Sequence, residues 1–183
     1  MRVISGTARG CRLASPDGID TRPTADRVKE AMFSIIQAFV HDSDALDLFA
    51  GSGGLGIEAL SRGASHCDFV EQSARAIAVV TANLEKTRLS DFSVHKQSAE
   101  RFLWSCSKKY DLVFLDPPYK KQLCDKALSM LKERKLLAEN AIVVCETSCD
   151  EEIDSPFEVY RRSKYGTVKV TVFINSDSYD ERN

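Results

Sequence analysis

Long apolar runs are missing from this 183-residue chain: no stretch approaches the length that a membrane-spanning helix needs. The opening residues, MRVISGTARG, lack the apolar stretch of a secretory signal, so cytoplasm is the expected compartment. Net charge is small as well, at −2, which removes any general electrostatic argument for nucleic-acid binding. Six cysteines stand at positions 11, 67, 106, 124, 145 and 149, at spacings unlike any zinc framework. The closest pair in sequence, Cys145 and Cys149, has no neighbouring histidine. Cys67, Cys124 and Cys145 fall within apolar element patterns and read as reduced, structural thiols; neither a metal nor a redox role is expected. Histidine is scarce. His41, His66 and His95 have no serine or cysteine partner that the sequence identifies, so none is assigned acid–base work.

Charge is present in local patches instead. Residues 1–22 carry Arg2, Arg9, Arg12 and Arg22 against Asp17 and Asp20. Residues 161–169 add Arg161, Arg162, Lys164 and Lys169 with no acid among them. Solvated surface and partner contact explain such patches equally well on composition alone.

The hydrophobic pattern describes one domain of alternating elements. Residues 2–5 and 10–14 suit a small hairpin around SGTARG, where Gly6 and Gly10 permit tight turns. SPDGIDTRP is a loop, and Thr24 is a candidate N-cap for a helix placing Val28, Ala31, Met32, Ile35, Ile36 and Phe39 on one face. Arg27 and Glu30 leave that stripe. From residue 44 onward, strands (ALDLF, HCDFVE, FSVHKQ, YDLVFLD, NAIVVCE) alternate with helical segments. Such units imply a parallel sheet covered on both faces. FEVYRRSKYGTVKVTVFI leaves no room for a helix and reads as an antiparallel hairpin at the sheet's edge. NSDSYDERN is a polar tail.

Two motifs carry chemistry. In ALDLFAGSGGLGIEAL, Gly51-x-Gly53-x-x-Gly56 follows a strand and opens a helix, and Glu71 ends the next strand. Glycines let backbone approach a ligand, helix N-termini offer unpaired N–H groups, and a terminal carboxylate can accept from ribose hydroxyls. This pattern suits a nicotinamide dinucleotide or S-adenosylmethionine. Asp47, ahead of the loop, favours the cationic ligand, although tying down the loop backbone would also occupy it. The second motif, Asp116-Pro117-Pro118-Tyr119, ends the fourth strand on the same rim. Prolines stiffen the peptide and leave carbonyls free to accept. The Asp116 carboxylate and the Pro117 carbonyl could hold both N–H bonds of a nucleobase amine, and Tyr119 could stack on the base. Methyl transfer to an exocyclic amine fits that set and needs no metal.

LDLFAGSGGLGIEALSRGA and DLVFLDPPY, preceded by ISGTARGCRL and TRPTADRVKEAMFSII, resemble the bacterial 16S ribosomal RNA guanine-N2 methyltransferases of the RsmD type. The resemblance covers residues 1 to about 174. It implies a Rossmann-like class I S-adenosylmethionine-dependent methyltransferase, with a mostly parallel seven-stranded sheet and an antiparallel C-terminal hairpin. Asp47, Phe49, Gly51, Gly53, Glu71, Gln97, Ser98, Ala99 and Asp116 would then line the cofactor site. Asp116, Pro117 and Tyr119 would line the target-base site, and Arg9, Arg12, Arg22, Thr24, Arg27 and Tyr119 would meet RNA. The implied substrate is one guanine of 16S RNA (966 by rRNA numbering), in a partly or fully assembled small subunit, and the enzyme is expected to be a monomer. Residues 1–22 would form an RNA-facing appendage, 23–174 the methyltransferase domain and 175–183 a tail. Ser98 departs from the amide or acid that often meets the adenine amino group, and Ser34 replaces a frequent asparagine. An adenine-N6 methyltransferase, a nicotinamide-dependent oxidoreductase and a non-catalytic RNA-binding factor are the competing readings.

Overall fold

The computed structural model describes residues 1–15, 23–118 and 122–176, without the side chains of residues 23–25. Seven strands form one sheet: β1 (Asp44–Asp47), β2 (His66–Glu71), β3 (Phe92–Lys96), β4 (Tyr110–Leu115), β5 (Leu137–Ser148), β6 (Glu158–Tyr165) and β7 (Val168–Ile174). Their order is β3-β2-β1-β4-β5-β7-β6. β1 to β5 pair in parallel, whereas β7 runs antiparallel to both β5 and β6. The order reverses between β1 and β4, the place where open α/β sheets leave a crevice beyond their strand ends.

Strands buried on both faces read as continuous apolar runs, as in LVFL of β4. One face is covered by α1 (Pro23–Ile35), α2 (Gly54–Ser61) and α3 (Ala74–Thr87). There Val28, Met32, Phe33, Ile57, Val80 and Leu84 join the sheet's Phe69 and Phe114 in one core. The other face is covered by α4 (Ala99–Ser105) and α5 (Leu123–Glu133), through Phe102, Leu103, Ala127, Leu128 and Leu131. Cys67, Cys124 and Cys145 are buried free thiols within these layers.

α1 begins at Pro23, which makes Thr24 its second residue and not the cap ahead of it. Proline suits that first position because its missing N–H would have had no intrahelical partner. The helix ends at Ile35, and a 3-10 turn over Gln37–Phe39 carries Phe39 onward. Ser34, exposed on α1, donates its hydroxyl to the Glu30 carbonyl.

The N-terminal residues double back on themselves. Val3 N–H donates to Cys11, Gly10 N–H to Val3 and Leu13 N–H to Met1. This hairpin is sealed onto α2: a Cβ on Gly6 would fall 1.6 Å from the Ser61 carbonyl oxygen. Glu58 of α2 is fully buried and accepts from the Ile4 and Ser5 amides at 2.8 and 3.0 Å. It also meets Lys29 of α1 at 3.1 Å and Arg62 at 2.8 Å. Burial lowers the Lys29 pKa, with Glu58 opposing that shift.

Candidate active site

The crevice beyond β1, β4 and β5 is a cleft of about 1140 Å³. Glycine shapes its floor. β1 delivers the chain into a loop in which Ala50 N–H reaches back to Val70 and Gly53 N–H to Ala50. Gly53 has φ +78°, and a Cβ there would lie 2.5 Å from Val80 Cγ2 of α3. On Gly56 a Cβ would lie 2.4 Å from Phe69 Cε1 and 2.7 Å from Cys67 Sγ. These two glycines therefore let α2 seat against its neighbours, and only Gly51 of the three lines the cleft. Gly51, at φ +54°, would bring a Cβ no nearer than 3.9 Å to the Phe49 carbonyl oxygen.

Three carboxylates follow from the ends of three adjacent strands. Asp47, at the end of β1, is only 2% exposed and accepts from the Gly56 amide at 3.0 Å. It thus ties the loop to the strand while still lining the cleft. Burial pushes its pKa up to about 7, Glu71 adds to the rise, and the Gly56 bond opposes it. Asp116 follows β4. It keeps surface open to the cleft, yet the protein packed around it makes desolvation the largest cause lifting its carboxyl well above the usual range. Glu146 and then Asp47 add to that rise. The open side of Asp116 lets water or a bound cation offset the effect. Glu146, half-buried near the end of β5, is likewise raised by burial.

Glu71 ends β2 and splits its carboxylate between two backbone amides, Gly51 at 3.1 Å and Ser73 at 2.8 Å. Each oxygen retains a lone pair for a further donor. Gln97, Ser98 and Ala99 line the adjoining wall with Phe49. The Ser98 hydroxyl caps α4 by accepting from the Arg101 amide at 3.3 Å. Pro117 is buried behind Asp116, while Pro118 lines the cleft. Tyr119 and Arg22 lie outside the described residues, as does the side chain of Thr24.

Several wall residues carry no sequence signal of their own. Val28 and Lys29 of α1 close one side. Thr167 and Val168, at the β6–β7 turn, close another, and Glu146 stands beside Asp116. Only the strand register could have found Glu146, because Leu115 pairs with Cys145 and the next residue of each strand is acidic. Arg9, Arg12 and Arg27 are exposed on the N-terminal hairpin and α1, and make no ion pair among the described residues. Arg161, Arg162 and Lys164 are exposed on β6, beside Tyr160, which packs edge-on against Phe39 at 5.7 Å. Lys169 does not share that surface. It is 5% exposed, bonds the Glu151 carbonyl and meets Glu152 at 3.3 Å.

The donor set fits S-adenosylmethionine. The cleft exceeds the usual span of small-ligand sites, leaving room for a second planar group. It has a backbone cradle at Gly51, a partly free carboxylate at Glu71 and negative charge at Asp47 and Asp116 for a cationic centre. Among the described residues no helix is long and apolar enough to cross a membrane.

Comparisons with known proteins agree with this geometry. The family model described as "Conserved hypothetical protein 95" matches residues 1–174. The chain is 38% identical over 181 residues to the ribosomal RNA small subunit methyltransferase D of Haemophilus influenzae, covering 96% of this chain and 94% of that one. With the Escherichia coli protein of the same name it shares 30% over 176 residues, covering 94% and 89%. The solved structure of the Escherichia coli methyltransferase yhhF superposes with a TM-score of 0.86 at 30% identity, over 96% of this chain and 98% of that one. The solved structure of the methyltransferase SMU.776 complexed with S-adenosylhomocysteine shares the fold at 14% identity, with a TM-score of 0.66 over 80% of this chain and 48% of that one. The chain belongs to the ribosomal RNA small subunit methyltransferase D family of S-adenosylmethionine-dependent methyltransferases.

Proposed function

We propose that this enzyme methylates the exocyclic N2 of one guanine in 16S ribosomal RNA, the family position 966, within an assembled or partly assembled small subunit. The observation that carries the reading is the meeting of the Gly51 cradle, Glu71 and Asp116 around one cleft at the sheet's switch point. When bound, S-adenosylmethionine supplies an activated methyl group on a cationic sulfonium.

The chain's own residues do the rest. Glu71 accepts from ribose hydroxyls, Gln97, Ser98 and Ala99 take the adenine side with Phe49, and Asp47 places negative charge beneath the cationic end. Because the Ser98 hydroxyl already accepts from Arg101, one lone pair is left for the adenine amino group, and the backbone of Ala99 carries the rest of the recognition.

A guanine amine is a poor nucleophile because its lone pair is delocalised into the ring. The Asp116 carboxylate and the Pro117 carbonyl accept its two N–H bonds and turn the lone pair toward the methyl donor. Positioning of this kind lowers the barrier chiefly by orientation and by electrostatic complementarity. Each charge-assisted bond contributes about 1.5–3 kcal/mol, or about one to two decades of rate. The nitrogen gains the methyl group as the methyl–sulfur bond breaks and neutral S-adenosylhomocysteine leaves; the nitrogen then becomes acidic and sheds one proton to Asp116 or to water. Tyr119 stacks on the base, which reaches the cleft unpaired or flipped out of a helix. Arg9, Arg12, Arg22, Thr24 and Arg27 face the RNA. The protein works as a cytoplasmic monomer, and ribosomal proteins supply part of its docking surface.

Methylation of undermodified small subunits, assembly intermediates and naked RNA, followed by digestion to nucleosides, tests the reading. N2-methylguanosine is expected. N6-methyladenosine, or no product on all three substrates, refutes it. Asp116→Ala should lose most methylation yet bind S-adenosylhomocysteine, and wild type should bind that compound but not NADH.

A further inference from the structure

Glu146 has no task in the mechanism above. It is half-buried and lines the same cleft as Asp116, and its side chain makes no hydrogen bond or ion pair among the described residues. Its place is fixed by the sheet. Leu115 of β4 lies opposite Cys145 of β5 in parallel register, so the chain's next residues, Asp116 and Glu146, leave adjacent strands side by side. Neighbouring strands lie about 4.8 Å apart, which sets two carboxylates along one edge of any planar group between them. Among the described residues Lys29 is the one cationic side chain on the surrounding wall, and it is engaged with Glu58 and with the carbonyls of Arg2 and Gly54. A carboxylate that faces a ligand space without a hydrogen-bonded side-chain partner calls for a donor from the ligand.

Purines differ at this edge. Guanine presents N1–H beside its 2-amino group, so three N–H bonds point toward the acceptors. Adenine presents an N1 lone pair beside its 6-amino group, which a carboxylate repels. We propose that Glu146 reads the N1–H of the target guanine while Asp116 and the Pro117 carbonyl hold its 2-amino group, so that this carboxylate pair selects guanine over purines lacking an N1 proton. The assignment rests on the guanine-N2 reading and deepens it. Glu146 is then a specificity-determining contact, one strand away from the acceptor that orients the reacting nitrogen.

Small subunits reconstituted with RNA bearing 2-aminopurine in place of the mapped guanine test this. That analogue keeps the 2-amino group but has an N1 lone pair. Wild type should prefer guanine by at least about a hundredfold in kcat/KM, because a site built for a donor rejects an acceptor strongly. Glu146→Gln, whose amide can also donate, should narrow the preference by about 10–100-fold. Glu146→Asp should keep most of it. The preference is a ratio within each variant, so a loss of folded enzyme cancels. S-adenosylhomocysteine binding should stay unchanged. A wild-type preference below about tenfold, or an equal preference in wild type and Glu146→Gln, would overturn the inference while leaving N2-methylguanosine formation intact. Wild-type product other than N2-methylguanosine would overturn both, and the nucleoside digest tells the two failures apart.

Discussion

Replacing Asp47 by asparagine should stabilise the ligand-free protein, and the gain should grow with pH. Asp47 is 2% exposed, and its pKa rises from 3.8 to about 7. Below the lower value the carboxyl is protonated in both folded and unfolded chains, and burial carries no charge penalty. Between the two values the folded chain holds a proton that the unfolded chain releases, so stability falls as pH rises. Above about 7 the folded chain carries the full penalty of a buried anion, about 4 kcal/mol at 1.36 kcal/mol per pH unit. Asparagine keeps an oxygen for the Gly56 amide and does not titrate. Urea unfolding of both proteins across pH 5 to 8.5 should show their difference widening from about 1.5 to about 4 kcal/mol. An unpaired amide N–H would shift the whole curve by a constant, so the slope is diagnostic. S-adenosylmethionine should flatten the wild-type curve more than S-adenosylhomocysteine does, because its sulfonium adds a positive charge to the ammonium that both compounds carry. A pH-independent difference, or one that narrows toward alkaline pH, would refute the account of Asp47.

Glu58→Gln should destabilise the protein by about 3–5 kcal/mol in urea unfolding, since it leaves Lys29 charged and buried without its counter-ion. Amide hydrogen exchange at Ile4 and Ser5 should accelerate in the same variant, because both N–H groups lose a charged acceptor. Gly56→Ala should cost about 1–3 kcal/mol in thermal or urea unfolding, as the added methyl must displace Phe69 and Cys67. Changing Arg161, Arg162 and Lys164 together to glutamine should lower the slope of log affinity for small-subunit RNA against log salt by about 2–3. An unchanged slope would make those cations protection for the open edge of β6.

Elements that repeat a local pattern were legible from sequence. The five parallel strands, the C-terminal hairpin, the glycine loop and the common rim of Asp116 and Glu71 all follow from periodicity and turn chemistry. What escaped depends on distant covering. Glu58 has the local look of a helix-surface acid but is fully buried, because a hairpin from the chain's start lies over it. Lys169 alternates as a surface cation would, yet residues 151 and 152 fold over it. Gly53 and Gly56 have the spacing of a ligand-binding fingerprint, but their missing side chains make room for Val80, Phe69 and Cys67. Thr24 has the chemistry of a cap, and Pro23 starts the helix one residue before it. Glu146 needed the pairing of β4 with β5, which no local pattern contains.

The order in which the chain is made bears on the N-terminal hairpin. The carboxylate that receives the amides of residues 4 and 5 is translated 54 and 53 residues after them. The Ala8 amide waits equally long for the Ser61 hydroxyl. Nascent chains that stop before residue 58 lack the hairpin's buried anchor, and its first residues should remain open to protease. The hairpin is therefore made well before it can lock, and it locks only once the helix after the glycine loop exists to hold it.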